Sequence, residues 1–161
     1  MLTGKRESEN QIIRKLGKDE RIPYDLLLLA DPTEQAINKY IFTSDIYVLE
    51  HDNNITGIYV LLATSTEEIE IKNIAVVTNC QGRGMGKLML RDAALRAKGN
   101  GFRVIVVGTG DASIGQLRLY QEEGFQVSGV RKNFFVDNYP EPIYEEGKQL
   151  KDMVILRKLL V

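Results

Sequence analysis

The chain has 161 residues, about the length of one domain, and its 43% hydrophobic and 27% charged residues are ordinary globular usage. Its 21 basic and 22 acidic residues leave a net charge of -1, which argues against a dedicated DNA- or RNA-binding protein. The single cysteine and single histidine exclude an internal disulfide framework and a zinc site that needs several such ligands.

Membrane insertion and secretion are not expected from this sequence. It contains no apolar run of about 18 residues, the length that a transmembrane helix requires. The first ten residues are polar and charged, unlike a secretory signal. We therefore expect one domain over residues 1–161, in the cytoplasm, with no nucleic-acid, membrane or metal partner.

The first 63 residues predict a strand, two short helices and a hairpin. These elements are predicted from turn residues and helix-capping residues. Pro23 precedes an apolar run, Asp31 is predicted to be an N-cap with Pro32 at the first helical position, and Asp52-Asn53-Asn54 is a turn cluster between β-rich runs. The elements are a strand at 12–16, helices at 24–30 and from 31, and strands at 46–50 and 55–63.

The remaining residues predict alternating strands and helices. Glu68, Glu70 and Lys72 alternate with isoleucines in a strand at 67–77, whose apolar end at 74–77 predicts burial on both faces. Further elements are a helix at 88–98, a strand at 102–107, a turn at 108–111, a helix at 113–123, a loop at 137–147 and closing strands at 126–135 and 152–160. The fold class is α/β (α+β), with a mixed, mostly antiparallel central sheet flanked by helices.

Residues 81–87, here called the glycine segment, predict an anion-binding loop. Gly82, Gly84 and Gly86 alternate between a buried strand and a helix, where glycine lets backbone N–H groups turn toward a ligand. The helix N-terminus adds positive charge, and Arg83 and Lys87 lie in the same turn. A pyrophosphate is the natural ligand, and a tight turn without a ligand is the alternative. The glycine spacing fits neither a Walker A loop nor a dinucleotide-binding loop.

Gln81, Gly84 and Gly86 form the pattern Q-x-x-G-x-G, which resembles the acetyl-coenzyme A loop of the GNAT superfamily of N-acetyltransferases. Asn73-Ile74-Ala75-Val76 looks like the strand that precedes this loop. Leu119-Tyr120 followed by Gly124-Phe125 resembles the family's second signature. The resemblance covers about residues 47–135 and implies a GNAT-like sheet and an acyltransferase that uses acetyl-CoA and no metal.

The resemblance also implies which residues bind the cofactor. They are Ala75, Val76, Val77, Gln81, Gly82, Arg83, Gly84, Met85, Gly86, Lys87, Ser113 and Tyr120. The backbone N–H of Val76 or Val77 is expected to stabilise the thioester oxygen as it becomes negative. Ser113 stands where many relatives carry Asn.

Acetyl transfer to a primary amine by direct attack needs a base and an acid. A primary amine is mostly protonated at pH 7, and Glu70 is the candidate base, with Glu68 as its substitute. The alternative for Glu70 is a solvated strand glutamate. Tyr120 is suited to protonate the departing thiolate, and its alternative is a core aromatic on an amphipathic helix.

The acceptor stays open between a small-molecule amine and a peptide amine. The late loop is acidic, which would favour a cationic amine; its carboxylates are Asp137, Glu141, Glu145 and Glu146. Arg131-Lys132-Asn133-Phe134-Phe135 faintly resembles a run in peptide N-terminal acetyltransferases. A non-catalytic coenzyme A-binding regulatory module is the second interpretation. Residues 153–159 are expected to offer a strand edge for a homodimer, His51 to lie at the surface and Cys80 to serve in packing.

Overall fold

The computed structural model describes residues 10–161, which divide into two compact units. Unit 1 holds residues up to 62 and residues 72–93, and unit 2 holds residues 63–71 and 94–161. The strands are β1 Gln11–Lys15, β2 Asp45–His51, β3 Asn54–Ala63, β4 Glu68–Val76, β5 Val104–Gly110, β6 Gln126–Arg131, β7 Tyr144–Glu145, β8 Lys148–Gln149 and β9 Met153–Leu159. The α-helices are α1 Tyr24–Leu27, α2 Glu34–Asn38, α3 Met85–Gly99, α4 Ile114–Glu122 and α5 Phe134–Asn138.

Seven strands form one sheet in the order β1-β2-β3-β4-β5-β9-β6. β4 and β5 run parallel, with Glu68 opposite Val104 and Ile71 opposite Val107, while β9 is antiparallel to both β5 and β6. In the chain, α3 lies between the parallel strands β4 and β5, so the expected strand–helix–strand crossover is confirmed. The mixed, mostly antiparallel sheet flanked by helices is likewise confirmed.

The hairpin of unit 1 follows its turn chemistry. Asp52 and Asn53 both adopt left-handed conformations, with φ of 51° and 66°, and join β2 to β3 by a two-residue turn. β1 pairs antiparallel with β2, so the predicted first strand is also confirmed.

The second helix of unit 1 begins later than the sequence predicts. Its N-cap is Thr33, whose hydroxyl accepts a hydrogen bond from Ala36 N at 3.1 Å, and the prediction of Asp31 as N-cap is wrong. A threonine in extended conformation directly before Glu34 satisfies the first helical turn. Asp31 instead accepts a hydrogen bond from the hydroxyl of Tyr40 at 3.3 Å.

β4 keeps one buried side along its whole length. Burial alternates from Glu68 to Val76, with Asn73 and Ala75 on the buried side and Ile74 and Val76 only half-buried. The predicted burial of residues 74–77 on both faces is therefore wrong. Although residues 74–77 are all apolar, the strand has one buried face and one half-buried face.

The end of unit 2 departs most from the prediction. The strand expected at 126–135 stops at Arg131, because Asn133 takes a left-handed conformation, with φ of 57°, and starts α5. The loop expected at 137–147 contains β7, which pairs with β8 directly after the loop in a small hairpin that turns at Glu146 and Gly147. The turn expected at 108–111 begins later, since β5 runs on to Gly110.

The closing strand does not offer the sheet edge that residues 153–159 were expected to provide. β9 lies between β5 and β6, and β6 is the last strand of the sheet. β6 is short and carries an irregularity between Val127 and Gly129, a feature by which proteins blunt exposed edges.

Candidate functional site

The chain turns sharply after β4. Residues Thr78–Cys80 form a single 3-10 turn, and Gln81 follows in extended conformation. The side-chain amide of Gln81 donates from Nε2 to the carbonyl of Val76 at 3.0 Å. The first residue of the glycine segment is thereby fixed to the last residue of β4.

The glycine segment is open to solvent and has the backbone shape that glycine allows. Gly82 and Gly84 have φ of 77° and 80°, and a Cβ built on either meets no heavy atom within 4 Å. Packing therefore does not require glycine at these two positions, but the left-handed backbone favours it. The space beside them is the kind of space into which a ligand can approach the main chain.

α3 begins at Met85, three residues earlier than predicted. Gly84 O accepts the first helical hydrogen bond from Leu88 N at 3.1 Å, so Met85, Gly86 and Lys87 belong to the first turn. The N–H groups of a first helical turn have no partner within the helix and favour an anion. The first turn holds no acidic residue, and Arg83 and Lys87 are exposed cations in the same segment. An anion is the ligand that these groups suit.

The backbone at the end of β4 separates the two candidate donors for the thioester oxygen. Val77 N donates to the carbonyl of Thr56 in β3 at 2.9 Å. Because successive N–H groups of a strand point to opposite sides, the N–H of Val76 points away from β3. The N–H of Val77 is thus already hydrogen-bonded within unit 1. The N–H of Val76 is therefore the stronger candidate for stabilising the thioester oxygen.

Asn73 is a buried polar residue that the sequence analysis did not single out. Its Nδ2 donates to Leu27 O at 3.0 Å and to the hydroxyl of Tyr40 at 3.1 Å, while its Oδ1 is buried without a hydrogen bond. Burial raises the pKa of Tyr40, and its hydroxyl donates in turn to Asp31. The sequence held a signal for this residue, because Asn73 is a polar residue on the side of β4 that is otherwise apolar.

The two candidate bases lie on the same side of β4 in unit 2. Glu68 Oε2 accepts a hydrogen bond from the hydroxyl of Thr64 at 2.7 Å. Glu70 is half-buried and stands opposite Val106 of β5. The carboxylate of Glu68 is therefore committed to a neighbouring loop.

Tyr120 lies in α4 and is almost fully buried, with 3% of its surface exposed. Its ring contacts the ring of Phe125, with centroids 5.9 Å apart and planes at 58°. Burial raises the pKa of the Tyr120 phenol well above its ordinary value, and it is the one cause of that shift. The phenol is therefore protonated across the neutral range.

Ser113 is the N-cap residue of α4, but its side chain does not cap the helix. The hydroxyl is buried and donates instead to Glu145 Oε2 of β7 at 2.5 Å. The predicted site residue is thus tied to the acidic hairpin β7–β8.

The remaining candidates lie outside these groupings. His51 lies half-buried at the surface, as expected, with Nε2 at 3.3 Å from Asp52 Oδ2 and a buried Nδ1 that has no hydrogen-bond partner. Cys80 is a half-buried free thiol, 3.4 Å from Asn79 Oδ1. Within residues 10–161, no group of His, Cys, Asp or Glu side chains has the arrangement to hold a metal. No helix in the same range is both long enough and apolar enough to cross a membrane.

The predicted site residues fall into two sets. Unit 1 holds residues 75–77 and the glycine segment, which Gln81 and Val76 join. Unit 2 holds Glu70, Ser113 and Tyr120.

Comparisons with known proteins find a family model and several similar acetyltransferases. A family model described as an acetyltransferase (GNAT) domain matches residues 43–127. The uncharacterized N-acetyltransferase YvbK of Bacillus subtilis is 43% identical over 133 residues, which cover 83% of this chain and 86% of that protein. A crystal structure of a GNAT family acetyltransferase from Elizabethkingia anophelis with acetyl-CoA bound is 45% identical, with a TM-score of 0.92 over 94% of this chain and 99% of that one. A Bacillus subtilis acetyltransferase in complex with CoA is 39% identical, with a TM-score of 0.88 over 94% and 99% of the two chains.

Proposed function

The chain belongs to the GNAT family of acetyltransferases, and we propose that it transfers an acetyl group from acetyl-CoA to a primary amine. The observation that carries this proposal is the glycine segment. Gly82 and Gly84 hold a left-handed, solvent-open backbone that leads into the N-terminus of a 15-residue helix. The proposal treats residues 1–161 as one acetyltransferase domain. The cytoplasmic location of the protein and its formation of a homodimer stay predictions.

The cofactor's diphosphate would bind at the glycine segment. The N–H groups from Gly82 to Lys87 and the start of α3 supply donors and partial positive charge, and Arg83 adds a full charge. Gln81 supports this role by fixing the segment to Val76. The structures of similar acetyltransferases with acetyl-CoA and CoA support the choice of ligand.

The thioester oxygen would be stabilised by the backbone N–H of Val76. The N–H of Val77 donates to Thr56 at 2.9 Å, and using it in catalysis would break a hydrogen bond between β3 and the end of β4. A preorganised backbone donor typically contributes about 3 kcal/mol to stabilisation of an oxyanion.

The amine would lose its proton to Glu70. A lysine-like amine has a pKa near 10.4 and is mostly charged at pH 7, so attack on the thioester requires a base. Glu68, whose carboxylate accepts a hydrogen bond from the hydroxyl of Thr64, is the substitute base. Attack is direct: the amine nitrogen bonds to the acetyl carbon, and the bond from that carbon to sulfur breaks.

The thiolate that leaves would receive a proton from Tyr120. The burial that raises the pKa of this phenol keeps it in the protonated form that the role requires. The same shift makes full proton transfer less favourable than for an exposed tyrosine. The proton would therefore move to sulfur as the negative charge develops on it, and not before the carbon–sulfur bond breaks.

The acceptor is proposed to be a cationic small-molecule amine. Glu141 and Glu146 are exposed around the β7–β8 hairpin, and Asp137 is exposed in α5. A peptide N-terminus is the second candidate, supported by the resemblance of residues 131–135 to peptide N-terminal acetyltransferases and by the similarity to a ribosomal protein bS18-alanine N-acetyltransferase of Haemophilus influenzae.

Release of coenzyme A thiol from acetyl-CoA tests the function directly. The full chain is offered polyamines, aminoglycosides and peptides with free N-termini, with Gly84→Glu as the variant whose loop is filled. We expect thiol release with at least one small amine and none from Gly84→Glu. Activity confined to peptides would replace the small-amine acceptor by a peptide. Binding of acetyl-CoA without thiol release from any amine would favour the non-catalytic module.

A further inference from the structure

β6 is the last strand of the sheet, and none of its six residues is buried. Val127 and Val130 are each 52% exposed. In the register with β9 they stand opposite Leu156 and Val154. Residues directly opposite each other in an antiparallel pair share one face of the sheet. Because Leu156 is fully buried, the two valines carry the buried apolar face of β9 outward into solvent. We call this surface, defined by Val127 and Val130, the valine side of β6.

The backbone of β6 is poorly suited to extend the sheet. The register with β9 shifts between Val127 and Gly129, so that Ser128 is an extra residue in the strand. Its hydroxyl donates back to Ile155 O of β9 at 3.3 Å. A bulge of this kind spaces the outer N–H and C=O groups unevenly and opposes the addition of another strand. A partner of β6 would therefore contact the two valine side chains and not form a continuous backbone ladder.

Charges of opposite sign flank the valine side of β6. Glu122 and Glu123 lie at the end of α4, just before the strand, whereas Arg131 ends the strand and Lys132 follows it. Glu123 is half-buried, and the other three are exposed. One end of β6 is thus acidic and the other basic. A twofold axis through the middle of the strand would bring the acidic end of each copy against the basic end of the other, as a self-complementary interface requires.

We propose that the valine side of β6 is the interface of a homodimer. Val127 and Val130 pack against the same two residues of a second copy, and the acidic end of each strand meets the basic end of the other. A second copy carries this matching order of acidic, apolar and basic groups by necessity. The expected contact therefore moves from β9, which lies inside the sheet, to β6. Two valines per copy make a small interface, so the dimer is weak and depends on concentration. The inference does not depend on acetyl transfer.

Sedimentation velocity of the full chain over a range of concentrations measures the equilibrium between monomer and dimer. We expect the wild type to dimerise. Val130→Ser should raise the dissociation constant of the dimer roughly 10-fold, because each of the two copies loses part of an apolar contact. The thermal midpoint of the monomer should change little, since Val130 is half exposed. Should Val130→Ser not fold, Val127→Ser takes its place under the same criteria.

Two charge variants test the pairing of the ends at low ionic strength. Arg131→Glu with Lys132→Glu makes both ends of β6 acidic, and Glu122→Lys with Glu123→Lys makes both ends basic. Each variant alone should dimerise roughly 10-fold more weakly than the wild type, or worse, because like charges then face each other. Reversal of two exposed cations of unit 1 is the matched control and should leave the dimer unchanged; they are Lys18 and Arg21.

An equimolar mixture of the two charge variants separates a self-complementary interface from a general effect of charge. One variant is acidic at both ends of β6 and the other is basic at both ends, so the mixture should form a heterodimer at least as stable as the wild-type dimer. Native mass spectrometry distinguishes this heterodimer from either homodimer by its mass. A wild type that stays monomeric at every concentration, a dimer unchanged by Val130→Ser and by both charge variants, or a mixture that stays monomeric overturns the proposal.

Discussion

The side-chain amide of Gln81 donates a hydrogen bond to the backbone carbonyl of Val76 at 3.0 Å. The bond spans the 3-10 turn Thr78–Cys80 and joins the glycine segment to the strand that precedes it. A side chain therefore helps to hold a main-chain loop in which Gly82 and Gly84 have few conformational restrictions of their own.

Gln81→Ala is expected to weaken coenzyme A binding by roughly 2- to 10-fold, because the loop loses one hydrogen bond that holds it ready. Gln81→Glu should weaken binding further, since a carboxylate cannot donate to Val76 and repels the ligand's phosphates. Calorimetry measures both affinities, and Gln126→Ala, an exposed glutamine in β6, serves as the control. Equal affinities for the wild type and both variants would show that Gln81 does not support the loop.

Gly84→Ala is expected to destabilise the protein by about 1 kcal/mol and to weaken coenzyme A binding. The cause is conformational, because φ is 80° at Gly84 and a Cβ there meets no heavy atom within 4 Å. Gly99→Ala is the matched control, since its surroundings are equally open and its φ is ordinary for a helix. That variant should be as stable as the wild type or more stable. Urea unfolding compares the two, and equal effects would contradict the conformational explanation.

Tyr120→Phe is expected to reduce kcat by roughly 10²- to 10⁴-fold while coenzyme A affinity is unchanged. The ring contact with Phe125 is preserved in phenylalanine, so the thermal midpoint should change little. Because burial raises the pKa of the phenol, its loss of a proton should not cause any fall in the wild-type rate below about pH 10. A kcat equal to that of the wild type would assign Tyr120 to packing alone.

Glu70→Gln is expected to reduce kcat/KM by roughly 10²- to 10⁴-fold at neutral pH, because the amine then loses its base. The difference in kcat/KM between Glu70→Gln and the wild type should shrink as pH rises toward the pKa of the amine. At such a pH much of the amine is already neutral, so a base is less needed. Glu68→Gln lies two residues away on the same side of β4 and is the control. A deficit in Glu68→Gln with normal activity in Glu70→Gln would exchange the two roles.

Glu20 gives a prediction about acid stability. The guanidinium of Arg14 and the N–H of Gly17 lower the pKa of Glu20 to about 2 from an ordinary value of 4.5. A lowered pKa stabilises the fold above the ordinary value, and this stabilisation is lost as pH falls through about 2. The thermal midpoint of Glu20→Gln should therefore lie below that of the wild type at pH 6, and the gap should close toward pH 2. A gap that is independent of pH would contradict this interpretation. Glu141→Gln is the control.

Local chemistry predicted the parts of the fold that short segments decide. Asp52 and Asn53 form the expected hairpin turn because their side chains tolerate a left-handed backbone. The same tolerance explains the failure at Asn133, which takes a left-handed backbone inside the stretch 126–135 that was expected to be a strand. The β7–β8 turn also had a signal, Glu146-Gly147, but two-residue strands are too short to produce alternation.

The candidate site was predictable where it depends on consecutive residues. The glycine segment is a run of consecutive residues, and its left-handed glycines agree with the glycine pattern in the sequence. The engagement of Val77 by Thr56, and of Ser113 by Glu145, joins residues 21 and 32 positions apart. Such pairs depend on how strands and hairpins fold back, and no local spacing encodes them.

Cys80 directly precedes the glycine segment and is the sequence's one cysteine. A thiol-directed fluorophore would therefore attach at a single position, beside the proposed phosphate site. The rate of its attachment, measured with and without coenzyme A, would report occupancy of that site even before any acceptor amine is known. The same uniqueness limits the protein's own contribution to a thiol-release assay to one equivalent per chain.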